Sequence, residues 1–174
     1  VPVGEDQTQH VELTRTLAEK FNKRFGNTFT VPRALIQKDT ARLMGLDDPT
    51  KKMSKSAESA ENYIALLDPP EEIRRKIKIA VTDSGKEIRY DEAKKPAIAN
   101  LMRIFRAFSG KTMEQIEAAY RGTGYAEFKN DLAKLLIEHL APIQKKYREL
   151  QKNTGAIERI LKDGARSAAQ TAEK

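Results

Sequence analysis

The sequence predicts a mainly α-helical chain with a small α/β part at its front. Three observations carry this expectation. Apolar residues recur at helical spacing over most of the second half, as in Ile98, Leu101, Met102, Phe105 and Phe108. Prolines open these patterns at Pro69-Pro70 and Pro96, and glycines close them at Gly110 and Gly122. β-Favouring residues are confined to short runs near the start, such as Thr28-Phe29-Thr30-Val31.

In chain order, Val1-Pro2-Val3-Gly4 reads as a strand end followed by a turn. A helix then runs from near Asp6 to about Phe25, with Leu13, Leu17 and Phe21 every four residues and Gly26 as its stop. Residues 27–36 suggest short extended segments, interrupted by Pro32. Residues 47–60 are polar and show no stripe, which predicts a loop. Tyr63-Ile64-Ala65-Leu66-Leu67 is either a strand or a buried turn. From Pro70 onward, Glu71 and Glu72 suit the positive end of a helix dipole, and Ile73, Ile77 and Val81 form the expected buried stripe. Thr112 with Gln115 three residues later predicts a capping box for a short helix. A long pattern covers Ala126 to Lys152 through Leu132, Leu136, Leu140, Ile143, Tyr147 and Leu150. Pro142 within it cannot donate to the Glu138 carbonyl, and a kink is expected there. A last helix starts near Asn153-Thr154 and carries Ile157, Ile160 and Leu161.

The 174 residues contain no cysteine and two histidines, which excludes disulfides and Cys-based zinc sites. No window is apolar for long enough to span a membrane, so none is expected as a partner and a cytoplasmic location is anticipated. The net charge of +7 is uneven. Residues 1–66 hold 10 Lys and Arg against 9 Asp and Glu, whereas residues 67–174 hold 22 against 16. That surplus points the second part toward a polyanion, with nucleic acid the leading candidate.

The most specific motif is Lys52-Met53-Ser54-Lys55-Ser56. Two ammonium groups three residues apart can surround a triphosphate, and two hydroxyls add hydrogen bonds without charge. Such cations stabilise a departing pyrophosphate more in the transition state than in the ground state. Taken alone, a solvated basic loop is the commoner meaning of a Lys/Ser cluster. For Gly4-Glu5-Asp6-Gln7 alone, a turn with Asp6 as helix cap is the commoner meaning.

The intact Lys-Met-Ser-Lys-Ser resembles the second signature of class I aminoacyl-tRNA synthetases. The approach Ala41-Arg42-Leu43-Met44-Gly45-Leu46 and Asp48-Pro49-Thr50-Lys51 resembles the bacterial tryptophanyl enzymes. So do the opening Val1 to Gln7 with His10 and Glu12-Leu13-Thr14-Arg15, the Ala80-Val81-Thr82-Asp83-Ser84 run, and Ile88-Arg89-Tyr90-Asp91. Ala57-Glu58 departs from the Asp-Pro usual after the signature. The resemblance implies ATP contacts from Gly4, Glu5, Asp6, the Leu43 backbone, Lys52, Met53, Ser54, Lys55 and Ser56. Within these, Asp6 would accept from the ribose hydroxyls, Met53 and Leu43 would hold adenine, and Lys52 and Lys55 would be catalytic. Val1 and Val3 would line the indole pocket, and Gln7 would face the tryptophan amino group. ATP would act as substrate with Mg²⁺ accompanying it, and no protein-bound metal is expected.

The implied fold is the C-terminal portion of a Rossmann-type nucleotide-binding domain (1–66), then a helical anticodon-binding bundle (67–152). The C-terminal helix, 153–174, would pack back on the Rossmann part. Expected partners are tRNA(Trp), ATP and L-tryptophan, with a homodimeric parent. The family's first, His-Ile-Gly-His-like signature does not occur in these residues. The chain is therefore expected to hold half of a composite active site and to be inactive alone. Two alternatives are a non-catalytic helical RNA-binding module and a tyrosyl-tRNA synthetase relative.

Overall fold

The structure, a computed structural model, describes residues 1–36 and 43–173. Among the described residues six α-helices follow one another: α1 (Thr8–Phe25), α2 (Pro70–Ile79), α3 (Pro96–Ser109), α4 (Met113–Ala119), α5 (Tyr125–Gln151) and α6 (Thr154–Ala172). Their ends obey the local chemistry. Pro70 occupies the first turn of α2 with Glu71 and Glu72 beside it, and Gly110 closes α3 at φ +68°. Thr112 and Gln115 form both halves of the capping box that opens α4. The Asn153 side chain accepts from the Ala156 N–H to start α6. The helix α5 continues through Pro142.

The core lies where α2 and α3 pack on α5 and α4 packs on α3. Ile73 and Ile77 of α2 meet Ile98, Leu101 and Met102 of α3 and Phe128, Leu132 and Leu136 of α5. Phe105, Tyr120 and Phe128 form an aromatic trio with ring centroids 5.0–5.8 Å apart. Tyr120 donates its hydroxyl to Asp131 at 3.1 Å, which satisfies its one polar atom. Lys129 donates to the carbonyls of Lys78 and Ala80, placing an ammonium at the negative end of α2.

Several expectations need correction. Among the described residues no strand forms; the α/β part reduces to two isolated bridges, Pro2 with Leu35 and Met44 with Lys52. A parallel pair needs both faces covered, whereas Val1 and Leu35 are largely exposed. Val81 lies beyond the end of α2 and is exposed, because the helix stops at Ile79. The stripe on α1 is also turned outward: Val11 and Ala18 are its buried residues, while Leu13 and Leu17 are each 59% exposed. Phe21, Phe25 and Phe29 instead cluster on the surface, with centroids 4.6 and 4.8 Å apart. On α5, Ile143 and Tyr147 are exposed and Gln144 takes the buried place.

Residues 63–68 make a turn rather than a strand, and a turn leaves carbonyls without a ladder. Side chains from two helices supply the donors. Lys76 of α2 bonds the Tyr63 carbonyl and pairs with Asp68 at 2.8 Å, and Gln144 of α5 bonds the carbonyls of Leu66 and Asp68. Lys76, one of the cations of Arg74-Arg75-Lys76-Lys78, is 3% exposed. The helix α6 packs on α5 and buries no residue. No helix among the described residues is long and apolar enough to cross a membrane.

Candidate functional site

Two motifs far apart in sequence meet in front of the bundle. Glu5–Gln7 form a single 3-10 turn leading into α1. A Cβ on Gly4 would stand 2.7 Å from Asp6 Oδ1, so the bare glycine lets the carboxylate fold back over the turn. Gln7 Nε2 donates to Asp6 Oδ2 at 3.1 Å, and Lys52 Nζ lies 3.1 Å from the same oxygen. Hydrogen bonding from Gln7, then from Lys52, holds the Asp6 carboxyl below the usual carboxylate range. The N-cap of α1 makes no side-chain cap bond, so the partners of Asp6 are a side-chain amide and the signature lysine. The ion pair is about half exposed on both sides, and such pairs contribute little to stability and exchange readily.

The signature sits on a short antiparallel ribbon held by a single bridge, too short to count as strands. The Met53 N–H donates to the Leu43 carbonyl at 2.9 Å and the Gly45 N–H to Lys51 at 2.8 Å, flanking the Met44–Lys52 bridge. Asp48 turns the chain between them by accepting from the Thr50 hydroxyl and N–H, which also hold its carboxyl low. Beyond the ribbon, the Ser54 and Ser56 hydroxyls lie 3.0 Å apart, and the Ser56 N–H donates to Ser54 Oγ. Lys55 is exposed and makes no hydrogen bond or ion pair among the described residues.

Two buried amides that sequence reasoning missed hold this loop in place. Asn62 accepts from the Ser54 N–H at 2.8 Å, donates to Asp47 at 2.7 Å, and takes the Leu46 N–H on its own carbonyl. A Cβ on Gly45 would come within 2.2 Å of Asn62 Nδ2, so this approach requires glycine. Asn100 of α3 grips the Met44 peptide from the other side. Asn100 left a signal, being an amide inside an apolar helical run, but Asn62 left none.

Of the remaining candidates, Val1 and Val3 bond Leu35 through their backbones, and the Val1 side chain is exposed. Glu5 is exposed, with its carbonyl accepting from the Thr8 hydroxyl. The Leu43 carbonyl is taken by Met53, and both side chains rest against the bundle core. His10, also quoted for the resemblance, is exposed. Ala41 and Arg42 of the approach lie outside the described residues. The structure thus gathers Asp6, Gln7 and Lys52, and leaves Lys55 on the open side of the loop.

On the bundle, residues 80–95 are pinned by side chains. Burial pushes the Asp83 carboxyl up, but hydrogen bonds from the Tyr125 hydroxyl and the Gly85 N–H, with Lys95 alongside, outweigh it and hold the carboxyl low. A cleft of about 310 Å³ opens between this segment and the end of α4, lined by Glu87, Arg89, Glu117, Tyr120 and Arg121 among others. Neither Arg89 nor Arg121 makes an ion pair among the described residues.

The family model for class I tRNA synthetases (W and Y) matches residues 1–141. The chain belongs to this family. Its curated relatives include the tryptophan–tRNA ligase of Bacillus subtilis, 49% identical over all 174 residues, which make up 52% of that protein. Among solved structures, the tryptophanyl-tRNA synthetase of Mycoplasma pneumoniae is similar over 84% of this chain and 45% of that one, with TM-score 0.73 and 37% identity. The Campylobacter jejuni enzyme, described as complexed with ADP and tryptophan, is similar over 97% and 51%, with TM-score 0.64 and 33% identity. The chain spans about half the length of the curated relatives it matches.

Proposed function

We propose that this chain supplies the nucleotide-loop half of a tryptophan–tRNA ligase, together with its RNA-binding helical bundle. The observation that carries the reading is the 3.1 Å pair between Asp6 and Lys52, because it brings two motifs expected to grip opposite ends of ATP to one point. When ATP enters, its ribose hydroxyls replace Lys52 on Asp6, and Lys52 turns to the phosphates beside Lys55, Ser54 and Ser56. The tryptophan carboxylate then attacks the α-phosphorus and pyrophosphate leaves. The adenylate so formed passes its acyl group to a terminal tRNA hydroxyl, releasing AMP. Lys52 and Lys55 act as the charge grew on pyrophosphate, Gln7 faces the tryptophan amino group, and Val1 and Val3 line the indole site. Mg²⁺ would travel on the triphosphate, since the loop itself offers ammonium and hydroxyl groups that suit phosphate oxygens rather than a cation. Residues 1–66 would be the trailing part of a Rossmann-type domain, and residues 67–152 the anticodon-binding bundle.

The RNA half of this reading is tested on the chain itself. Titration with a tRNA(Trp) transcript should show affinity falling at least about tenfold between about 50 and about 200 mM salt, from release of condensed counterions. Replacing Arg89 and Arg121 by Ala should weaken binding further, since their guanidinium planes suit phosphates and unpaired bases. Changing only the anticodon should also weaken it. No binding at low salt would remove the RNA role.

A further inference from the structure

We infer that Asn100 is a positioning residue that ties the nucleotide loop to the helical bundle. Its side chain is 2% exposed on α3, among Ile98, Leu101 and Met102. Nδ2 donates to the Met44 carbonyl at 2.8 Å, and Oδ1 accepts from the Met44 N–H at 2.9 Å. One amide thus presents to Met44 the donor and acceptor that a third strand would present. The two groups it satisfies face away from the Met44–Lys52 ribbon pairing, whose own bonds join Leu43 to Met53 and Gly45 to Lys51.

The placement links the two parts of the molecule. Met44 follows Leu43, whose carbonyl holds the Met53 N–H, and lies opposite Lys52, which holds Asp6. A displacement of α3 is therefore transmitted to the base of the signature through two short bonds. The same helix packs on α5 and on α4, whose Glu117 edges the cleft. Other residue types lose the tie. Aspartate keeps the acceptor but has no donor for the Met44 carbonyl, and leucine leaves both buried groups unpaired.

The inference rests on the RNA-binding reading of the bundle for its functional sense, and the test separates the two. Amide hydrogen exchange is followed in the chain and in Asn100→Asp and Asn100→Ser, each free and with the tRNA(Trp) transcript. In the free variants, peptides covering residues 43–56 should exchange about tenfold faster, as expected for one buried hydrogen bond lost, with α5 peptides unchanged. With RNA, the unsubstituted chain should gain protection in residues 43–56. The variants should bind the transcript within about twofold of the same affinity yet lose that loop response. A merely structural asparagine would not separate RNA affinity from loop response. Unchanged loop exchange in the free variants, loss of α5 protection in both, or a loop response that survives the substitutions would each overturn the inference. Failure of the unsubstituted chain to bind the transcript would instead overturn the RNA-binding reading, and the tie would stand or fall on the free-chain exchange.

Discussion

Lys55→Ala is expected to lower the rate of tryptophanyl-adenylate formation by on the order of 10²-fold or more, while shifting the ATP KM little. The host for this measurement is the Bacillus subtilis ligase in which residues 1–174 replace the matching 52% of its length. The argument comes from what Lys55 does before the nucleotide arrives. Lys52 is already paired with Asp6, whereas Lys55 stands exposed with no partner among the described residues. An unpaired, solvated ammonium gains least from ground-state phosphates that water screens well. It gains most when charge concentrates on the departing pyrophosphate and water is excluded. Single-turnover rates and the ATP KM separate the two contributions. A raised KM with an unchanged rate would show that Lys55 binds both states equally.

Lys76→Ala should cost about 3–5 kcal/mol of stability, measured by denaturant unfolding of the chain at neutral pH. Lys76 is 3% exposed and its partner Asp68 has 15% of its side chain exposed, so water cannot easily replace the missing ammonium. The substitution strands the Asp68 carboxylate, frees the Tyr63 carbonyl, and removes the cation over the Tyr63 ring at 5.1 Å. Asp68→Asn in the same chain should recover part of the loss, because the neutral amide needs no counter-charge. Surface pairs such as Lys134 with Asp131 give the comparison, with a change within about 0.5 kcal/mol expected on breaking them. A Lys76 effect as small as that would mean that the 63–68 turn relaxes to let water in.

The helical part was legible because its signals are local. The capping box at Thr112 and Gln115, the prolines at 70 and 96 and the glycine at 110 all fall where the structure places helix ends. What escaped was set by tertiary packing. Leu13 and Leu17 have core-like spacing but face outward, since periodicity identifies an apolar face without identifying what covers it. Lys76 reads as one more cation in Arg74-Arg75-Lys76-Lys78, and its burial follows from a turn whose carbonyls needed a donor. The same holds for Gln144. The candidate site was legible as residue types on a motif. Its assembly was not, because Asn62 and Asn100 act through the backbones of Ser54 and Met44, which no side-chain pattern records.

Tryptophan-dependent exchange of pyrophosphate into ATP tests the central claim most directly, measured for the chain alone and for the Bacillus subtilis ligase carrying residues 1–174 in place of its own matching stretch. The account predicts background exchange from the chain alone and clear exchange from the hybrid with tryptophan but not with tyrosine. A folded hybrid without exchange, a preference for tyrosine, or turnover by the chain alone would contradict it.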